Sequence, residues 1–278
     1  MAMKDIYTTL EQSFRELLDR LAIYEKTVSV SMEGSGRADS PVNEVANPSA
    51  DDTDDSTCGA DSSASSAIRR PEVKLTAHFE GAIGECYTCF PGEFTGTLSQ
   101  IAALDIENDP AGRSIYIAAM NAVMNKYELA DECLGCGEEE EERCAAHIAN
   151  QYAKNNGNVN VLLAGYQPHM MKALAARFPL RVLDLDPANI GKTVFGVTIE
   201  DGIGACAEAT RWAEVILCSG SALANGTFFD YVKLPKDVMF YGTTIATCIM
   251  VLKKSKSENS TLFIDASREC VKVTNSNK

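Results

Sequence analysis

The sequence predicts an α/β protein in two parts, a small α+β domain followed by an open α/β domain with a parallel sheet, and three observations carry that prediction. First, residues 159–186 form an apolar run ending at Gly165, a proline at 168 suited to the first turn of a helix, and a second apolar run ending in Asp184 and Asp186. That succession describes a β-turn-α-β unit. Second, two later apolar runs end in turn residues of the same kind, at Ser219-Gly220-Ser221 and at Gly242-Thr243-Thr244. Third, residues 27–32 and 73–79 alternate apolar and polar side chains, the pattern of half-buried strands.

Taken in order, residues 6–21 place Ile6, Leu10, Phe14, Leu17, Leu18 and Leu21 at helical spacing, with charges on the other face. A strand follows at 27–32. Residues 33–66 break the pattern: they carry eight carboxylates against Arg37 alone, a net −7 of the chain's −14. Such a segment cannot bury enough apolar area to offset its ordering entropy, so it is read as a disordered acidic insertion. Residues 73–79 and 82–88 are hairpin partners around Glu80-Gly81. A helix begins near Leu98. Residues 114–124 are small and apolar around nearly the whole circumference, which predicts a buried helix with Asn121 as its polar exception. A helix opens in the glutamates at 138–142 and runs to Lys154, since negative charge is favourable at a helix N-terminus. The turn residues at 155–158 mark the domain boundary. Beyond the 159–186 unit, strands are expected at 194–199, 214–218 and 238–241 and a helix at 207–213. The domains are thus 1–154 and 158–246, with a distinct tail at 247–278.

At 278 residues the chain can bury a sizeable core, and its charge of −14 disfavours phosphate backbones. No nucleic acid is expected as a partner; a cation or a basic partner fits the field better, and a homo-oligomer is allowed. No run of ~18 apolar residues appears. Charges occupy the first 19 residues where a signal peptide would have its apolar core, so a soluble cytoplasmic protein with no membrane partner is expected. Ten cysteines without export point to thiols, metal ligation or core packing rather than to disulfides.

Cys86 and Cys89 form one Cys-x-x-Cys pair and Cys133 and Cys136 another, with Cys144 beyond. Two such pairs can complete a tetrahedral thiolate site for a soft or borderline metal. Reduced structural cysteines are the commoner alternative, and Cys86 lies in a strand where residues three apart face opposite ways. Cys144 and His147 share a helix face. His169 follows Pro168 at a helix start that faces the strand-end crevice, where ligands of open α/β sheets bind. Gly165 to Pro168, including Gln167, and Asp184 to Asp186 line the same place. A single glycine in the Gly165 turn is a poor pyrophosphate cradle, although Asp184 lies where a ribose hydroxyl would be taken. No Gly-x-x-x-x-Gly-Lys-Ser/Thr, Gly-x-Ser-x-Gly or His-Glu-x-x-His is present, so these motifs give no support for an enzyme.

Several stretches resemble one family in order along the chain: Pro91-Gly-Glu-Phe-Thr-Gly96, Gly112-Arg-Ser-Ile-Tyr-Ile-Ala-Ala-Met-Asn-Ala122, Gly165-Tyr-Gln-Pro168, Val182-Leu-Asp-Leu-Asp-Pro187, Ser219-Gly-Ser-Ala-Leu-Ala-Asn-Gly226 and Phe240-Tyr-Gly-Thr-Thr-Ile-Ala246. Over about residues 5–246 the chain resembles the heavy-metal chelation family. The resemblance implies an enolase N-terminal-like domain followed by a Rossmann-like domain, and a ligand cleft between them. Asn121, Asp184, Asp186, Ser221, Asn225, Thr243 and Thr244 are its candidates, with Cys136 and Cys144 in a matching cysteine-bearing segment. The implied cofactor is a divalent transition metal.

The end departs from that family. Residues 247–256 and 262–269 resemble the adenine-specific DNA methyltransferase subunit of type I restriction systems, which suggests a fusion at Phe240-Tyr-Gly-Thr-Thr-Ile-Ala246. The methyltransferase's Asn-Pro-Pro-Phe or Asp-Pro-Pro-Tyr motif occurs nowhere in the sequence. Three readings of function follow: binding of a metal ion or metal-bearing small molecule in the cleft, a Rossmann-type enzyme using a nucleotide-like cofactor, or a non-catalytic relative of the methyltransferase.

Overall fold

Two sheets organise the chain in a computed structural model that describes residues 3–32, 70–129, 138–245, 248–252 and 262–265. The first is antiparallel, with strands β1 (Thr27–Met32), β2 (Val73–Phe79), β3 (Ala82–Thr88) and β4 (Phe94–Thr97) in the order β3-β2-β1-β4. Helix α1 (Met3–Leu21) buries Tyr7, Phe14 and Leu18. The short α2 (Leu98–Ile101) opens with a reciprocal capping box between Thr97 and Gln100. Helix α3 (Pro110–Lys126) starts at Asp109, whose side chain accepts from Ala111 N, with proline at the first helical position. Its buried residues run round the helix as the composition predicted. They do so because β3 approaches it closely: a Cβ built on Gly84 would lie 2.1 Å from Ala122 N.

Helix α4 (Glu138–Asn156) leads to the second sheet, built from β5 (Val161–Ala164), β6 (Leu180–Asp184), β7 (Thr193–Val194), β8 (Val197–Asp201), β9 (Val215–Ser219), β10 (Asp237–Tyr241), β11 (Cys248–Leu252) and β12 (Leu262–Asp265). Their order is β12-β11-β10-β9-β5-β6-β8-β7. The five central strands, β10, β9, β5, β6 and β8, are parallel, whereas β7, β11 and β12 join by antiparallel pairing. Helices α5 (Pro168–Ala175), α6 (Cys206–Trp212), α7 (Ser221–Asn225) and α8 (Phe228–Val232) connect them. The chain runs from β5 outward to β6 and β8, then crosses back to β9 and β10. The switch point is therefore between β5 and β9, where open α/β sheets hold their ligands.

The fold class is α/β, as expected. The larger core cluster is continuous across both sheets, joining Tyr7, Phe14, Leu75 and Tyr116 to Leu162, Phe228 and Phe240. Phe14 meets Tyr116 edge-on at 5.1 Å, and Phe228 stacks on Phe240 at 4.1 Å. A second cluster packs Ile148 of α4 and Leu174 of α5 against Leu163 and Leu217.

Three local readings change. Residues 94–97, just ahead of the helix expected near Leu98, form the edge strand β4, paired with β1. The expected strand at 194–199 is a hairpin of β7 and β8 turning at Phe195 and Gly196, both with positive φ. The stretch after Gly220, expected as a turn, is the buried helix α7. Short helices of this kind escape periodicity because they are shorter than one hydrophobic repeat. The backbone of the tail extends the sheet as β11 and β12. The acidic insertion and the pair Cys133 and Cys136 lie outside the described residues. Among the described residues no helix is long and apolar enough to cross a membrane.

Candidate functional site

The carboxyl ends of the parallel strands converge at the switch point. Gly165, just past β5, has φ +94°, and a Cβ placed there would come 2.9 Å from Cβ of Ser219 at the end of β9. Glycine is needed on both counts. Gly220 N donates to Tyr241 O at 2.6 Å, tying the end of β9 to that of β10. At the end of β6, Asp184 accepts from Tyr166 N at 2.7 Å through one carboxylate oxygen and from Asp186 N at 2.6 Å through the other. Asp186 in turn accepts from Ala188 N. The two expected carboxylates therefore shape the turns as well as lining them.

Helix α7 carries Ser221 and Asn225 into this region. Its last carbonyls are met by the first half of the chain: Tyr7 OH donates to Leu223 O at 3.1 Å and Arg113 Nε to Ala224 O at 2.8 Å. Arg113 is buried, also donates to Ile106 O, and lies over the Tyr7 ring. Gly226 closes the helix in the left-handed region with φ +83°. Asn225 is thereby fixed against β3: its Oδ1 accepts from Cys89 N at 2.8 Å and Thr88 Oγ at 3.1 Å, and its Nδ2 faces Glu72 Oε1 at 3.4 Å.

Glu72 was not foreseen in the sequence. It is solvent-exposed, yet desolvation is the first cause of its raised pKa, the combination expected of a side chain on the wall of a crevice. Hydrogen bonds from Ser221 and Asn225 pull that pKa down, and the neighbouring charges of Asp184 and Asp186 push it up. Desolvation raises the Asp184 pKa as well, against its backbone hydrogen bonds, and Asp186 adds to the rise. Among the described residues none of these three carboxylates has a lysine or arginine partner. Among the described residues this group of carboxylates is acidic and has no basic partner.

Asn121 stitches α3 to this region. Its Nδ2 donates to Glu85 O at 2.8 Å, Thr243 O at 3.1 Å and Thr244 O at 3.3 Å. Thr244 Oγ accepts from Tyr87 N at 2.9 Å. The other candidates serve elsewhere. Gln167 caps α5 by accepting from Met170 N and reaches Glu141 of α4, while Pro168 occupies the first helical position. His169 Nε2 also lies 3.9 Å from Glu141. These two join helices α4 and α5. His147 lies against Gln151, one turn on.

Among the described residues the cysteines form no cluster with other ligating side chains. Burial raises the thiol pKa of Cys86 well above its usual value and that of Cys89 to about 12, so both hold their protons at neutral pH. Cys89 Sγ donates to Arg70 O at 3.4 Å, whereas Cys86 Sγ points to Tyr87 O. Cys144 sits on α4. Among the described residues no three His, Cys, Asp or Glu side chains are grouped to hold a metal. At the opposite end of the sheet a shallow concavity of about 440 Å³ is lined by Trp212, Pro235 and Lys236 among others. Lys236 Nζ is committed there to carbonyls at the end of α6, including Arg211 O at 2.9 Å.

The model of the N-6 DNA methylase family matches residues 226–278. That stretch takes in α8 and β10 through β12 and begins ahead of position 247, where the tail was placed from the sequence. A search of curated proteins finds no match. Among solved structures, the chain is similar to a DUF364-family protein of unknown function from Pyrococcus horikoshii, with 15% identity and a TM-score of 0.39 over 63% of this chain and 68% of that one. It is also similar to a DUF364-family protein of unknown function from Desulfitobacterium hafniense DCB-2, with 12% identity and a TM-score of 0.36 over 56% and 59%.

Proposed function

We propose that the chain binds a positively charged small ligand, a metal-bearing molecule or an organic cation, in the crevice at the carboxyl ends of the parallel strands. The observation that carries this reading is the set Glu72, Asp184 and Asp186, whose charges raise one another's or a neighbour's pKa with no basic side chain among the described residues paired to them. A cation entering the crevice relieves that repulsion, which an anion or a phosphate would aggravate. The protonated state of Cys86 and Cys89 favours oxygen contacts over thiolate ligation, so a metal would arrive with donors of its own. Metal content of untagged protein, followed by calorimetric titration with zinc, nickel, magnesium and putrescine, tests the proposal. Binding tighter than about 10 μM, equivalent to ~7 kcal/mol, and weakened in Asp184→Asn supports it. No affinity for any of these cations overturns it.

A second reading concerns residues 226–278 alone. Their match to the N-6 DNA methylase family supports descent from a methyltransferase without its activity, since the adenine-holding Asn-Pro-Pro-Phe type of motif is missing from the sequence. A methyl-transfer assay on unmethylated DNA is expected to be blank, and methylation would reverse this reading.

A further inference from the structure

We propose that two copies of this chain pair end to end about a two-fold axis, each inserting Phe195 into the other's concavity beside Trp212 and Pro235. Phe195 and Gly196 form the two-residue turn between β7 and β8, both with positive φ. Turns of this kind favour Asn-Gly or Asp-Gly, because a bulky side chain in the left-handed region is strained. Phe195 bears that strain at φ +49° while 51% exposed. Val194 and Val197 flank it and pack against the second core cluster, so the hairpin is anchored without the ring. Met32 and Leu129, the other large apolar residues exposed among the described ones, adjoin stretches outside the described residues; Phe195 does not. A strained, exposed aromatic that the fold does not use is the kind of side chain that anchors an interface.

The shallow concavity of about 440 Å³ offers Trp212, Ala213 and Pro235 as its apolar lining. Arg181 lies over the Trp212 ring at 5.9 Å, and Lys236 Nζ donates to the carbonyls of Thr210, Arg211 and Ala213, so the walls are set before a partner arrives. Glu214 and Asp237 line it too, against Arg211 and the committed Lys236. Lys192, exposed three residues ahead of Phe195, brings the opposite charge to those carboxylates. Position selects a second copy as the occupant. The turn at 195–196 precedes β8, and the concavity is built from residues just ahead of β9 and β10, so both lie at the amino ends of parallel strands. Strands β5 and β6 stand between them, a separation of roughly 20 Å at the usual strand spacing. A two-fold axis normal to the sheet, midway between the two features, carries each hairpin onto the other copy's concavity and closes the pair.

Two phenyl rings bury too little for an obligate interface, so the dimer is expected to depend on concentration, with a Kd on the order of 10 μM. Trp212 is the chain's single tryptophan, so its emission reports on the concavity directly. Sedimentation equilibrium and Trp212 emission, both followed on the full chain from about 1 to 200 μM, test the proposal. The expected result is a dimer whose dissociation on dilution shifts the emission to the red. Phe195→Asn relieves the backbone strain, so it should keep or gain thermal stability while weakening association roughly tenfold or more. Lys192→Glu should weaken association by roughly threefold. A monomer throughout that range, assemblies larger than two, a dimer whose Trp212 emission does not change on dilution, or association that either substitution leaves unchanged each overturn the proposal. The crevice at the carboxyl ends of the strands is untouched by any of these outcomes.

Discussion

Gly165 and Ser219 stand closer across the β5–β9 switch point than two residues with side chains could, since a Cβ on Gly165 would be 2.9 Å from the Ser219 Cβ. Gly165→Ala therefore has two penalties, the clash and an alanine at φ +94°. Their sum is expected to be about 2 to 4 kcal/mol by urea unfolding. Ser219→Gly in the same chain should recover the clash part alone. A Gly165→Ala chain as stable as the wild type would mean that the two turns are further apart than described.

Gly84→Ala is expected to be worse. Here the new Cβ would meet backbone atoms of α3 at 2.1 to 2.6 Å, which cannot swing aside as a side chain would. A loss of about 4 kcal/mol or more, or failure to fold, is expected in thermal unfolding. A mild effect would contradict the close seating of β3 on α3.

Arg113→Met tests the link between the halves. The variant leaves the carbonyls of Ala224 and Ile106 without their donor and removes a cation from the Tyr7 ring. A cost of about 3 kcal/mol is expected from unsatisfied buried acceptors. Arg113→Lys should recover little of it, because an ammonium cannot reproduce the guanidinium fork. Near-complete recovery by lysine would show that charge alone matters there.

The pH dependence has a definite sign. The folded-state pKa of Glu72 and of Asp184 is raised, so each favours folding most below its unfolded pKa and loses that contribution as pH rises through the folded value. Stability of the ligand-free chain should fall as pH rises out of the ordinary carboxylate range. Glu72→Gln should flatten that fall. A slope unchanged in the variant would assign the loss to other groups.

Much of the frame was legible. Apolar runs ending at Gly165, Ser219 and Tyr241 were read as strands because a buried parallel strand needs a continuous apolar run and its turn needs permissive residues. The buried α3 was legible because small residues circle it. Asp184 and Asp186 were visible at the end of β6, but not their bonds to Tyr166 N and Ala188 N, which depend on turn geometry. Glu72 was not legible at all: it stands in no motif, and it reaches the site only because β2 carries it to Asn225 of α7, far along the chain. Thr88 and Arg113 were missed for the same reason, since their partners on α7 are supplied by packing rather than by local pattern. Of the two thiol pairs only Cys86 and Cys89 lie among the described residues, where both are buried and each sulfur meets a backbone carbonyl.

In the proposed function a cation binds because Glu72, Asp184 and Asp186 crowd one crevice with no basic partner among the described residues. Calorimetric titration with putrescine in two buffers of different ionisation enthalpy measures both affinity and the protons exchanged. Protons are expected to be released on binding at pH values just above the ordinary carboxylate range, with affinity and release both reduced in Glu72→Gln. Binding that is absent in the wild type, or unchanged in affinity and proton count in Glu72→Gln, would contradict it.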